Sequence, residues 1–214
     1  MTVSLSRRVM RVYEEFDRCV ERLPIEFGLH CPPGCGTCCA SPNVEATILE
    51  MLPLAEELWQ SDRAEAILDR FATASPPKAC LFFTPDELQF NYGRCSVYPF
   101  RPTMCRLFGF AAVRNKYGRA VFAACKFMKQ MIPEAVQAVQ TDVDNGGHIL
   151  RFTDAAHRIA ELEPSLDRRF PINEALLIAL ERVGMYRLLA GEVPEPVGET
   201  DTEPPPPSPF QKCC

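Results

Sequence analysis

Cys31-Pro32-Pro33-Gly34-Cys35-Gly36-Thr37-Cys38-Cys39 sets four thiols within nine residues, with glycine and proline between them. A hydrophobic core has no need of that spacing. Glycine permits the φ > 0 turns that let sulfurs converge, and backbone amides in such turns can donate to them. Further thiols follow at Cys80, Cys95, Cys105 and Cys125, so eight cysteines make two sets of four. Four thiolates complete a tetrahedral zinc site or hold an iron–sulfur cluster. Neighbouring side chains diverge in most backbone conformations, so Cys38 and Cys39 are expected to serve two metals or to bridge them. The residues point to two close sites and leave the ligand partition open.

The chain has eleven cysteines among 214 residues. Cys19, on the apolar face between Phe16 and Leu23, reads as a small buried hydrophobe. Cys213 and Cys214 ride on the C-terminal tail and read as exposed thiols, with a metal-handover pair or a lipid attachment site as the alternatives. An odd count cannot pair completely into disulfides. Ser6-Arg7-Arg8 resembles the start of an export signal, but Val12-Tyr13-Glu14-Glu15-Phe16-Asp17 stands where an apolar stretch is required. No window approaches 18 uncharged apolar residues, so no membrane span is expected. The expected compartment is the cytoplasm, where thiols stay reduced and dense cysteine reads as metal binding.

The net charge of −5 conceals a division. Lys78 to Lys129 holds nine cations, among them Arg101 and Arg106, opposed only by Asp86 and Glu87. The same stretch has eight of the fourteen phenylalanines. Tetrathiolate zinc and an oxidised four-iron cluster each carry about −2, which these cations can balance. The tail from Gly191 onward has five acids, one lysine and seven prolines.

The flanks read as helices. Val9, Val12, Tyr13, Phe16, Val20 and Leu23 recur at three- and four-residue spacing. Residues 44–59 form a second helix, kinked or restarted at Pro53. Asp62 to Ala72 is a third, and Pro133-Glu134 opens a fourth. Thr153 to Leu162 is a fifth. Asn173 caps a sixth that runs through Leu176, Leu180 and Val183 and stops near Gly191. Thr84-Pro85-Asp86-Glu87 fits a capping box opening a short helical turn that Asn91-Tyr92-Gly93 ends. Arg94 to Phe110 has no dependable period, and strand–helix alternation is missing, against a Rossmann or barrel architecture. The expected fold is mainly α. A small helical domain over residues 1–190 wraps an irregular, cysteine-rich metal-binding core at about residues 28–128. A disordered acidic, proline-rich tail follows at 191–214.

The pattern resembles the YkgJ-like cysteine-cluster family, a zinc- or iron-chelating domain of the CxxxCxxCC type. The resemblance rests on Cys31-x3-Cys35-Gly36-x-Cys38-Cys39, Cys80-Leu81-Phe82, Cys95-x-Val97-Tyr98-x2-Arg101-Pro102-x2-Cys105-Arg106, and Cys125. It implies that all eight cysteines are metal ligands and that Tyr98 and Arg101-Pro102 are recurring elements beside them. Flagellin lysine N-methylase, a longer protein, shares the cluster and implies an iron–sulfur site.

The favoured function is metal binding through eight thiolates, with zinc or iron (iron–sulfur included) in two sites and metal ions as the partners. Arg101 and Arg106 then offset thiolate charge, and Tyr98 packs beside them. The alternative is an iron–sulfur enzyme related to lysine N-methylases. Its chemistry outside the thiols is thin, because His30 reads as a polar flank and His148 and His157 lack an evident partner. A nucleic-acid-binding module ranks third, since the flanks are acidic and the aromatics alternate as core residues would.

Overall fold

A computed structural model describes residues 2–73, 77, 79–87 and 92–191. The tail and its two cysteines lie outside the described residues. Among the described residues eight α-helices dominate, so the mainly helical expectation holds.

Helix α1 (Thr2–Phe27) follows the predicted periodicity. Val9, Val12, Tyr13, Phe16 and Leu23 are buried, and Cys19 and Val20 pack against the core that the first four enter. Gly28, in the left-handed region at φ 65°, closes the helix and turns the chain into the cysteine loop. The second predicted helix divides differently. Glu45–Thr47 is strand β1, and α2 (Ile48–Gln60) then runs through Pro53 without restarting. A capping box upstream of the proline explains this. The Thr47 hydroxyl accepts from the Glu50 amide (3.1 Å) and Glu50 Oε2 accepts from the Thr47 amide (2.8 Å). Five buried apolar side chains, Leu49, Met51, Leu52, Leu54 and Leu58, hold the helix across the missing donor.

Helix α3 (Ala64–Thr73) follows. The middle of the chain consists of short pieces: strands β2 (Phe83–Pro85) and β3 (Gly93–Cys95), a 3-10 turn at Tyr98–Phe100, and helix α4 (Thr103–Leu107). Strands β4 (Ala112–Arg114) and β5 (Ala120–Phe122) form a hairpin before α5 (Lys126–Met131). The Thr84 capping box is not realised. Thr84 pairs with Arg94 in an antiparallel ladder, and extended backbone there excludes a helix N-terminus. Most of the predicted turn of helix, with Asn91, lies outside the described residues.

Helices α6 (Pro133–Asp144) and α7 (Phe152–Ala160) match the predicted fourth and fifth. Strand β6 (Arg169–Pro171) pairs antiparallel with β1, in the register Ala46↔Phe170. It leads directly into α8 (Ile172–Ala190), which ends at Gly191 with φ 63°. Pro171, rather than Asn173, occupies the cap position, because β6 delivers the chain straight into the helix. Asn173 lies in the first turn, and its buried amide is engaged elsewhere, as described below.

The main core draws on α1, α2 and α8 together with Phe82, Val97 and Leu107 from the thiol-bearing middle. Trp59 Nε1 donates to the Leu180 carbonyl (2.9 Å), locking α2 to α8. A smaller core joins the end of α1 and Leu29 to β5, α5 and α6. The thiol region lies between these two clusters.

Candidate metal centre

The cysteine loop is held against the β2–β3 hairpin. Cys35 forms an isolated bridge with Tyr92, and the Gly93 amide donates to the Gly34 carbonyl (2.8 Å). Gly36 is required by close approach. A Cβ there would meet the Phe83 ring at 2.5 Å and the Gly93 nitrogen at 3.1 Å. Gly34, at φ 73°, makes the preceding turn, in which the Cys35 amide donates to the Pro32 carbonyl (3.1 Å). Cys80 sits in the turn entering β2, and Cys95 ends β3 opposite Phe83.

Cys105 is carried by α4, whose position is fixed from below. The Thr103 amide donates to Glu50 Oε1 (2.9 Å), while the other oxygen of the same buried carboxylate caps α2. Tyr13 Oη donates to the Glu50 carbonyl (3.1 Å). Cys80 is fixed from the opposite side by Asn173. Its Oδ1 accepts from the Leu81 amide (3.0 Å), and its Nδ2 donates to the carbonyls of Pro77 (2.7 Å) and Ala79 (2.8 Å). Sequence reasoning missed both residues as site elements. Thr47-x-x-Glu50 is a legible capping box that would have flagged the glutamate. Nothing local to Asn173 announces a segment some ninety residues away.

All eight predicted thiols line two adjoining cavities. The inner one, about 30 Å³, is faced by Cys39, Cys80, Cys95 and Cys105, with Val44, Leu54, Phe82 and Leu176 as apolar wall and Arg101 and Asn173 also lining it. The outer one, about 270 Å³, is faced by Cys31, Cys35, Cys38 and Cys125, with Cys39 and Cys105 on the shared wall. Cys38 Sγ and Cys39 Sγ stand 4.0 Å apart at that wall. Among the described residues no three His, Cys, Asp or Glu side chains are drawn together tightly enough to hold an ion as placed. The histidines do not join the thiols: the exposed His30 ring bonds the Gly28 carbonyl (2.8 Å).

The surroundings suit thiolates. Backbone amides of Phe82 and Phe83 reach the Cys80 sulfur, that of Val97 reaches Cys95, and that of Met128 reaches Cys125 at 3.4 Å. An amide pointed at sulfur stabilises the ionised form and is a typical outer support of a metal ligand. Against this, the thiols suppress one another. Burial, reinforced by Cys80 and Cys38, pushes Cys105 up to about 12. Burial followed by Cys35 does the same to Cys31, also to about 12. Cys80 and Cys95 are raised by burial too. At the shared wall the bond from Cys39 pulls Cys38 down to about 6, and that bond raises Cys39. Crowded thiols that suppress one another's ionisation stay protonated, and a cation among them would let them ionise together.

Arg101 acts electrostatically on three of the sulfurs. It lowers the pKa of Cys38, Cys95 and Cys105, stacks 3.4 Å over the Tyr98 ring, and donates to the Cys105 carbonyl (3.3 Å). Tyr98 itself is 59% exposed. Arg106 faces the other way. Buried, it pairs with Asp17 of α1, donates to the carbonyls of Pro99 and Arg101, and lies 4.2 Å over the Tyr13 ring. It anchors the loop to α1 through backbone and ring contacts.

A helical frame thus surrounds a double cavity lined by eight thiols. Residues 30–131, just under half of the chain, match the family model CxxCxxCC, described as a "Putative zinc- or iron-chelating domain". No curated protein and no solved structure matches the chain. Among the described residues no helix is long and apolar enough to cross a membrane.

Proposed function

We propose that the chain binds two zinc or iron centres through two thiol quartets. The inner quartet is Cys39, Cys80, Cys95 and Cys105, and the outer is Cys31, Cys35, Cys38 and Cys125. The observation that carries this reading is the lining of two adjoining cavities by eight thiols from distant parts of the chain. Cys38 and Cys39, read from the sequence as serving two metals, then fall one to each quartet. A bound metal supplies the positive charge that lets these thiols ionise together. Arg101 offsets the remaining negative charge, and the amides at Cys80, Cys95 and Cys125 orient the sulfurs. Glu50 and Asn173 position Cys105 and Cys80. Four thiolates at the inner centre would fill a tetrahedral coordination and leave no open position, which is the arrangement of a structural site. The unpaired thiols fit a reducing compartment such as the cytoplasm, and residues 1–190 are read as one folding unit.

Anaerobic purification followed by metal analysis, acid-labile sulfide assay and a visible spectrum tests the reading. Brown protein with iron and sulfide selects iron–sulfur, and colourless protein with zinc selects zinc. Cys80→Ser is expected to remove the inner centre and spare the outer, and Cys125→Ser to do the reverse. Metal-free protein that still folds would overturn the proposal.

A further inference from the structure

Helices α1 and α2 line a cleft of about 320 Å³, and none of its described lining residues is a cysteine. It is about twice the size of the roughly 150 Å³ apolar cavity that admits benzene. Ser6 and Glu56, which line it, are only 4% and 8% exposed. Among the described residues four buried side-chain polar atoms lack a hydrogen-bond partner, and two of them are Ser6 Oγ and Glu56 Oε1. A buried carboxylate oxygen in that state is costly and calls for a water, an ion or a ligand. Burial raises the Glu56 pKa, while the nearby Ser6 hydroxyl and Arg7 charge lower it. Neither completes a hydrogen bond to Oε1. Rotation about the last side-chain bond exchanges the two oxygens, so either can turn to the cleft.

The rest of the lining narrows the choice of ligand. Arg7 and Arg11, both exposed, stand one turn apart on α1, and Glu14 follows a turn later. Glu57 adds a third carboxylate from α2. A simple cation would meet two guanidinium groups, and a simple anion would meet three carboxylates. A zwitterion suits both. Met10, Pro53 and Phe100 supply apolar wall. Phe100 also lines the inner thiol cavity, so the cleft and that cavity share a side chain.

We propose that this cleft binds a small α-amino acid with an apolar side chain. The ammonium meets Glu56 and supplies the donor that Oε1 lacks. The carboxylate meets Arg7 and Arg11, and the side chain rests on Met10 and Phe100. Glu56 is then a residue that lowers the stability of the unliganded chain and is kept for a ligand. None of these residues belongs to the proposed thiol quartets, so the site stands or falls apart from the chelation reading.

Isothermal titration calorimetry of the full chain tests it, with L-leucine as the probe. One leucine per chain is expected to bind. Leucinamide, which lacks the carboxylate, and 4-methylpentanoate, which lacks the ammonium, should each bind about tenfold more weakly. Glycine, without the side chain, should also lose about tenfold. Glu56→Gln should bring leucine down to the level of 4-methylpentanoate. Arg11 is exposed, so Arg11→Gln keeps the fold, and it should narrow the gap between leucine and leucinamide. No uptake of leucine leaves a water-filled groove and overturns the site. Leucinamide binding as tightly as leucine, or leucine affinity unchanged in either variant, overturns it as well.

Discussion

Replacing Glu50 with glutamine isolates one buried carboxylate that serves two helices. Its oxygens accept from the Thr47 amide at 2.8 Å and from the Thr103 amide at 2.9 Å, and the residue is 2% exposed. Glutamine keeps the shape but offers one oxygen and one NH2 group. One of the two amides must then face a donor. A hydrogen bond to a charged group contributes about 1.5–3 kcal/mol, and a buried donor left without an acceptor costs about 1–3 kcal/mol. Relief of the buried charge offsets part of this. The net loss is therefore set at about 2 kcal/mol, roughly a 30-fold fall in the folding equilibrium. Urea unfolding of the metal-loaded chain measures it through the midpoint at constant slope. Thr47→Ala is the control, because it removes only the α2 half of the box at about 1 kcal/mol. Glu50→Gln should also lower the inner metal content, since Thr103 opens the helix that carries Cys105, whereas Thr47→Ala should not. A loss below about 0.5 kcal/mol, or equal metal loss in the two variants, refutes the assignment.

The remaining predictions concern the same frame. Gly36→Ala would drive a methyl group into the Phe83 ring and the Gly93 backbone, so metal content should fall even where far-UV circular dichroism is unchanged. Asn173→Leu strips partners from the Leu81 amide and the Pro77 and Ala79 carbonyls. A stability loss of about 3 kcal/mol is expected, with chelator extraction of the inner metal accelerated over wild type. Because Cys39, Cys80, Cys95 and Cys105 are all raised, they remain protonated at neutral pH and must release their protons on binding. Apparent affinity at the inner quartet should thus rise steeply from pH 6 to 8, by about four decades per unit at most. A flat profile in a competition titration would contradict that. Glu56, buried with Oε1 unpartnered, has a raised pKa through loss of solvation, so the folded state favours its neutral form. Its contribution is unfavourable above the ordinary carboxylate pKa and vanishes below it. Glu56→Gln should raise the melting temperature at pH 7 and change it little at pH 4.

The donor atoms could be read in the sequence and their grouping could not. Sulfur at close spacing declares itself by residue type, and Arg101 lies within the same short motif as Cys95 and Cys105. Whether Cys39 faces Cys80 or Cys31 depends on how the loop meets the β2–β3 hairpin, a contact between segments some fifty residues apart. The long helices were legible because α1 and α8 repeat their apolar pattern over several turns. Three-residue strands have no room for a period, so β1 passed as the start of α2 and Thr84 passed as a helix cap. Arg106 illustrates a further limit. Adjacent to Cys105 in sequence, it was expected beside the thiolates, but α4 directs it to Asp17 and Tyr13. Neighbours on one helical turn can serve opposite sides of a site.

The pairing of β1 with β6 sets an order of events during synthesis. Ala46 cannot meet Phe170 until some 120 further residues have been made, which at about 5–20 residues per second takes roughly 6–25 s. Cys125, the last of the eight thiols, is translated well before Arg169. For that interval the nascent chain has a full complement of sulfurs but lacks Asn173 to hold Cys80 and α8 to line the inner wall. The outer thiols can assemble from polypeptide already made, whereas the inner cavity is completed only by the final helix. On the proposed partition, the two centres would mature in sequence, the outer first and the inner last.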